Sequence, residues 1–188
     1  MKKSFSFIEV LVSVTIASTV FIAIITLANQ NLASAQLTRD RFLAANLAQE
    51  GIEIIANLRS NNWKIYSAQD SDFDTNNGGL LVNWRGQSGC QPTSVDYCII
   101  VDGQYVANYD TVRLSAVGGG NDSMRKDNSG KYCQNGVGSC SGTLTPFRRV
   151  TTLTTINPHQ LQVDVRITWT YNNLAQTVSA EDRLYNWR

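Results

Sequence analysis

The sequence predicts an α+β fold, a long amino-terminal α-helix packed on an antiparallel β-meander. Three observations predict it. No proline occurs before Pro92 and the first glycine is Gly51, so nothing breaks a helix over the first quarter of the chain. Apolar residues from Leu32 to Leu58 recur at helical spacing. From Tyr97 onward the period of apolar residues falls to two, the period of a strand with one buried face.

The helix is read over residues 5–58, ~80 Å long at 1.5 Å per residue. Its first half, 5–28, is apolar all round, and its second half, 29–58, is amphipathic. Leu32, Leu37, Leu43, Leu47, Ile54, Ile55 and Leu58 fit one face, while Arg39, Asp40, Arg41, Gln49, Glu50 and Glu53 take other positions. Gly51 costs ~1 kcal/mol against alanine inside a helix, which a close strand would explain. Ser13, Thr15, Ser18, Thr19 and Thr26 interrupt the apolar half, and their hydroxyls can bond back to the helix. Asn61-Asn62 breaks the pattern, so Arg59 to Trp63 is the expected exit.

Residues 59–188 form the expected β-rich head. Residues 64–96 read as a polar connecting loop with one short apolar piece, Leu80 to Trp84. Asp70, Asp72, Asp74 and Asn76 alternate like a calcium loop, but Thr75 stands where the turn wants glycine and no closing glutamate follows. A solvated acidic loop is the simpler reading. Asp102-Gly103 between Tyr97–Val101 and Gln104–Asn108 is a two-residue hairpin signal. Thr111–Ala116 is a further short strand, and 118–142 reads as a loop. Three long strands close the chain, Thr145–Ile156, Leu161–Tyr171 and Leu174–Tyr185, with turns at Asn157-Pro158 and Asn172-Asn173. In the middle one Leu161, Val163, Val165, Ile167 and Trp169 alternate with polar residues, giving a buried and a wet face. The amphipathic half of the helix is the available cover.

Composition narrows the function. A formal charge of +1 rules out a global field aimed at nucleic acid or an acidic substrate. The four cysteines, Cys90, Cys98, Cys133 and Cys140, form no CxxC and meet a single histidine, so two disulfides in an oxidising compartment outweigh a zinc site. Of three connectivities the local one, Cys90–Cys98 with Cys133–Cys140, is favoured, each bond stapling a short loop. His159 follows Pro158 in a turn, and no nucleophile–base set can be built without it. Gly118-Gly119-Gly120 lacks the Lys-Ser/Thr of a phosphate loop. No enzyme, metal or cofactor is expected. Arg148, Arg149, Arg166, Arg183 and Arg188 with Trp169, Tyr171 and Trp187 would suit a strand of DNA if they shared a surface; the competing expectation divides the aromatics between core and wet face.

The amino terminus carries the most information. Lys2 and Lys3 precede an apolar run, Phe5 to Ala28, long enough to span a bilayer, and place its start on the cytoplasmic side. The run holds one charge, Glu9, then none until Arg39. A carboxylate at membrane depth costs ~2.5–3.5 kcal/mol on insertion scales and marks a function by default. A secretory signal peptide, cut after Ala33-Ser34-Ala35, is one reading. A plain anchor is another, and leaves Glu9 without purpose. The third comes from Ser4-Phe5-Ser6-Phe7-Ile8-Glu9-Val10-Leu11-Val12, which resembles the class III signal of type IV prepilins and pseudopilins.

That resemblance implies a leader of residues 1–4, removed by a prepilin peptidase between Ser4 and Phe5, and N-methylation of Phe5. Ser4 stands where the family usually has glycine. Glu9 matches the family's glutamate five residues into the mature chain and implies assembly through Glu9 and Phe5 of neighbouring subunits. The run AANLAQEGIEIIANLRSNNW is also similar to segments of pilin-like proteins. Major pilins often carry proline and glycine in the first half of the helix, and this chain has neither there. The FIEVLVS opening and the final alternating strands look more like a minor pilin or a type II secretion pseudopilin than a major one. The implied function is a structural filament subunit, serving adhesion, motility, DNA uptake or secretion. Other pilin subunits and an inner-membrane assembly platform would be its partners, and no cofactor is implied. The head would lie outside the cytoplasmic membrane, then in an extracellular pilus or a periplasmic pseudopilus. The alternative is a membrane-anchored extracytoplasmic binding module, an adhesin or DNA-uptake tip that does not polymerise.

Overall fold

The computed structural model describes residues 6–68, 103–107, 114–134, 140–157 and 160–185, without the side chains of 61–68. Two compact units meet between Phe42 and Leu43. Helix α1 runs Phe7–Ala68, past the exit expected at Arg59–Trp63. Asparagine is a weak helix former, ~0.7 kcal/mol at most below alanine, and so Asn61-Asn62 does not stop the helix. The strong breakers are absent, since neither glycine nor proline occurs between Gly51 and Gly78.

Among the described residues seven antiparallel strands make the sheet: β1 Gly103–Ala107, β2 Leu114–Ala116, β3 Ser123–Lys126, β4 Tyr132–Gln134, β5 Thr143–Asn157, β6 Gln160–Tyr171 and β7 Leu174–Tyr185. The expected meander is the β5–β6–β7 part. β6 and β7 stay in register without a bulge from Gln160↔Tyr185 to Tyr171↔Leu174. Asn172 and Asn173 both take positive φ, 49° and 62°, the two-residue turn that asparagine tolerates best. β5 is the organising strand. One edge pairs β6; the other pairs β1 near Thr151–Leu153 and β3 near Thr143–Arg148. Two short hairpins, β1–β2 and β3–β4, thus extend the sheet on the far side of β5.

The segment 118–142, expected as a loop, holds the β3–β4 hairpin. Its strands are too short and too polar to show a period, and the turn between them is set by side-chain bonding. Asp127 Oδ1 accepts from Ser129 N at 2.9 Å, Ser129 Oγ at 2.7 Å and Lys131 N at 2.8 Å. Gly130 supplies the positive φ of 89°. The Ser129 hydroxyl, then the Lys131 amide, hold the Asp127 carboxyl below its ordinary pKa. Cys133 of β4 is bonded to Cys140, as expected, with Cα atoms 5.7 Å apart. Cys90–Cys98, the acidic run at Asp70, Asp72 and Asp74, the strand Tyr97–Val101, Pro158 and His159 lie outside the described residues.

Within the second unit the helix covers the sheet with Ala44, Leu47, Ala48, Ile55 and Leu58. They meet Leu161, Val163, Val165, Ile167 and Trp169, the alternate residues of β6, all buried. The Trp169 ring packs on Phe147 with centroids 5.7 Å apart. The helix crosses the strands in turn. The Leu47 carbonyl meets Arg149 of β5, Gly51 lies on Val165 of β6, and Arg59 reaches the Tyr185 carbonyl of β7 at 3.5 Å. Gly51 leaves room for a β6 side chain: a Cβ there would stand 2.7 Å from Val165 Cγ1 and 3.1 Å from Cγ2. Gly51→Ala is therefore expected to destabilise. Overpacking costs ~1–3 kcal/mol, against ~1 kcal/mol gained in helix propensity. Urea unfolding checks this, and Val165→Ala added to Gly51→Ala should cost less than the two changes summed.

Candidate functional site: the amino-terminal helix and its glutamate

Residues 7–42 of α1 present no folded face of their own. Phe7, Ile8, Val10, Leu11, Val12 and Phe21 are all exposed. The most apolar window of the helix has a mean hydropathy of 2.5, and none of it is buried by the rest of the chain. By length and composition it can cross a membrane. Its length and composition suggest a membrane anchor or a signal sequence.

The polar groups in this stretch divide into two kinds. Ser13 donates to the Glu9 carbonyl at 2.7 Å, Thr15 to Val12 at 2.8 Å, Ser18 to Thr15 at 2.9 Å, Thr19 to Ile16 at 2.8 Å and Thr26 to Ile22 at 2.8 Å. Every one of the hydroxyls singled out in the sequence is thus satisfied by its own helix. None needs water or a neighbour, which suits lipid. The Glu9 carboxylate is the exception, exposed and without a hydrogen-bond partner among the described residues.

The geometry adds a local role for Glu9 that the sequence reading missed. The Ser6 carbonyl accepts from Glu9 N at 3.0 Å and Val10 N at 3.3 Å, which makes Ser6 the cap residue of α1. Ser6 and Glu9 then occupy the two positions of the Ser-x-x-Glu capping pattern, and the carboxylate lies in the first turn, where the helix dipole favours a negative charge. The Ser-x-x-Glu spacing was the available signal. Ser4, Phe5 and the bond between them lie outside the described residues.

Among the described residues the basic aromatic surface considered from sequence is not assembled. Arg149 is fully buried, and Trp169 is in the core. Arg148 faces Asp122 at 3.4 Å and Arg183 faces Glu181 at 3.7 Å. Arg188 and Trp187 lie outside the described residues. The error for Arg149 was one of parity, since it alternates in step with Phe147, Thr151 and Leu153, all buried on β5. Among the described residues no group of three histidine, cysteine or acidic side chains could hold a metal.

The architecture is pilin-like: a long amino-terminal helix, apolar at its start, whose later turns pack on an antiparallel sheet carrying a disulfide. Comparison with family models, with curated proteins and with solved structures gives no match.

Proposed function

We propose that this chain is a structural subunit of a type IV pilus or pilus-like filament, of the minor-pilin or pseudopilin kind, with no catalytic role. The observation that carries the reading is the contrast within the apolar helix. Its hydroxyls are bonded to its own backbone, while a single carboxylate, Glu9, meets no cation among the described residues. On this reading the cation comes from a neighbouring subunit. Hydrolysis of the Ser4–Phe5 peptide bond by a prepilin peptidase would leave a carboxylate on the leader and a new ammonium on Phe5. Once the helix leaves lipid for the filament core, the Phe5 ammonium of one subunit neutralises Glu9 of the next.

The proposed course starts in the cytoplasmic membrane, as a single pass with the head outside. An inner-membrane assembly platform then moves the subunit into a polymer with other pilin subunits, as an extracellular pilus or a periplasmic pseudopilus. Mass spectrometry of the amino terminus of the native protein tests this. The expected result is an N-methylated Phe5. An intact Met1 would leave only an anchored head, the adhesin or DNA-uptake tip, and a start at Gln36 would mean a secreted domain.

A further inference from the structure

Gln134, the residue after Cys133, is fully buried and uses its whole carboxamide inside the head. Its Oε1 accepts from Ala107 N at 3.2 Å and from Arg149 Nε at 3.1 Å. Its Nε2 donates to the Arg149 carbonyl at 2.7 Å and to the Asp122 carbonyl at 3.3 Å. A carboxamide has two donors and two acceptor sites, and all of them are taken. Through them Gln134 ties β1, the residue before β3 and β5 together. It also holds the guanidinium whose Nη1 reaches the Leu47 carbonyl and Glu50 of α1. Displacing Gln134 takes this acceptor from Arg149 Nε and from the Ala107 amide, both in the core, where a lost partner is costly.

The strand that carries Gln134 is poorly equipped to keep it there. β4 has three residues and lies at the end of its branch of the sheet, paired with β3 alone. Gln134 stands opposite Met124, where the pairing of β3 with β5 is irregular. Strands this short open readily by local unfolding. The turn bonded by Asp127 holds the other end of the hairpin. At the Gln134 end the chain is closed by the Cys133–Cys140 bond, at a sequence separation of seven. Cys140 comes shortly before Thr143, the first residue of β5. The bond therefore ties the end of β4 to the entry of β5, and Gln134 lies inside the ring that it closes. Both cysteines are partly exposed, so a thiol can reach them.

We propose that Cys133–Cys140 is a redox switch on the junction between α1 and the sheet, and that it acts through Gln134. Closing the bond transfers two electrons, with the two thiol protons, from Cys133 and Cys140 to a disulfide carrier, which becomes a dithiol. A dithiol reverses the step and is itself oxidised. With the bond closed, β4 stays against β3 and Gln134 keeps Arg149 in place. With the bond open, β4 frays, Gln134 leaves its seat and Arg149 loosens its hold on α1. The switch is a property of the head and operates whether or not the chain polymerises.

Hydrogen exchange on the full chain in detergent, read by mass spectrometry, tests it. The first variant combines Cys133→Ser with Cys140→Ser and leaves Cys90 and Cys98 in place. Its peptides holding Ala107 and residues 47–51 are expected to exchange about tenfold faster or more, the order that opening a short ring gives. The β6–β7 peptides around Ile167 and Val178 are expected to stay as protected as in wild type. Added to Gln134→Ala, which exposes the junction peptides by itself, the two serines are expected to change little further. An equal rise in β6–β7, or a serine effect undiminished by Gln134→Ala, would mean that the bond stabilises the head as a whole, and would overturn the switch. Should the serine variant fail to fold, a second arm decides. Folded wild-type protein is reduced with dithiothreitol and alkylated at intervals. Exchange at Ala107 should rise in step with the labelling of Cys133 and Cys140. Labelling without that rise, or a bond that resists reduction until the head unfolds, would overturn the switch as well.

Discussion

Replacing Glu9 by alanine is expected to leave the protein in the membrane and cut its entry into filaments by roughly two to three orders of magnitude. Membrane insertion should persist because removal of a carboxylate lowers the cost of burying the helix, by ~2.5–3.5 kcal/mol on insertion scales. Assembly should fail because the Phe5 ammonium of the neighbour would then be buried without a counter-charge. Breaking one side of a buried pair costs ~3–5 kcal/mol, and each ~1.4 kcal/mol is tenfold in an equilibrium. The two roles of Glu9 separate with a second variant. Glu9→Gln retains the Ser-x-x-Glu/Gln capping pattern from Ser6 but carries no charge. If capping were the reason for Glu9, Glu9→Gln would assemble nearly as well as wild type, since a first-turn charge is worth only ~0.3–1 kcal/mol. The charge pairing predicts that Gln fails as Ala does. Sheared filament and alkali-extracted membrane fractions, each immunoblotted, give both readings. Normal filament yield from Glu9→Gln would remove the pairing from the account.

Most of this architecture was legible because its long elements are periodic. The uninterrupted helix, the alternation of β6 and the Asn172-Asn173 turn all follow from local rules; the structure places β6 and the turn within a residue of expectation, while the helix runs on to Ala68, past its expected end at 58. The close approach implied by Gly51 was also readable, since a glycine in a helix needs a reason and Val165 supplies it. What escaped is short or non-local. β3 and β4 are held by the bonding of Asp127 and by pairing to β5, neither of which leaves a period. The attachment of the β1–β2 hairpin to β5 through β1 is a tertiary choice. At the candidate site the charge at Glu9 stood out from hydropathy alone, whereas the cap at Ser6 needed the helix start to be located. The burial of Arg149 could have been seen from the parity of its strand, but arginine is so rarely buried that composition argued the other way.

Arg149→Ala is expected to be the most damaging single change in the head, because this guanidinium joins α1 to the sheet. Its Nη2 donates to the Ala107 carbonyl at 2.7 Å, its Nη1 to the Leu47 carbonyl and Glu50 Oε1, both at 3.2 Å, and its Nε to Gln134 Oε1 at 3.1 Å. Gln134, itself buried, donates back to the Arg149 carbonyl at 2.7 Å and accepts from Ala107 N at 3.2 Å. Burial pushes the arginine pKa down, and the charge of Glu50 opposes that push. Truncation leaves a cavity and takes the guanidinium from the Ala107 and Leu47 carbonyls, while Gln134 Oε1 keeps the Ala107 amide. Each buried group left unpaired costs ~1–3 kcal/mol, so a loss of about 3–5 kcal/mol is expected, in line with other broken buried pairs. Arg149→Lys should not restore it, since an ammonium on a flexible stem cannot reach Ala107, Gln134 and Glu50 from one plane. Glu50→Gln should cost less than Arg149→Ala, because Glu50 is 31% exposed and solvent screens its share of the pair. Urea unfolding of the full chain in detergent, followed by near-ultraviolet circular dichroism, ranks the three. If the filament reading holds, the heads would hang on the helices through this junction, and Arg149→Ala filaments should shed heads to protease while their helical cores remain. Heads as resistant as wild type, with unfolding unchanged, would mean that the apolar contacts of Leu47, Ile55 and Leu58 hold the junction without it.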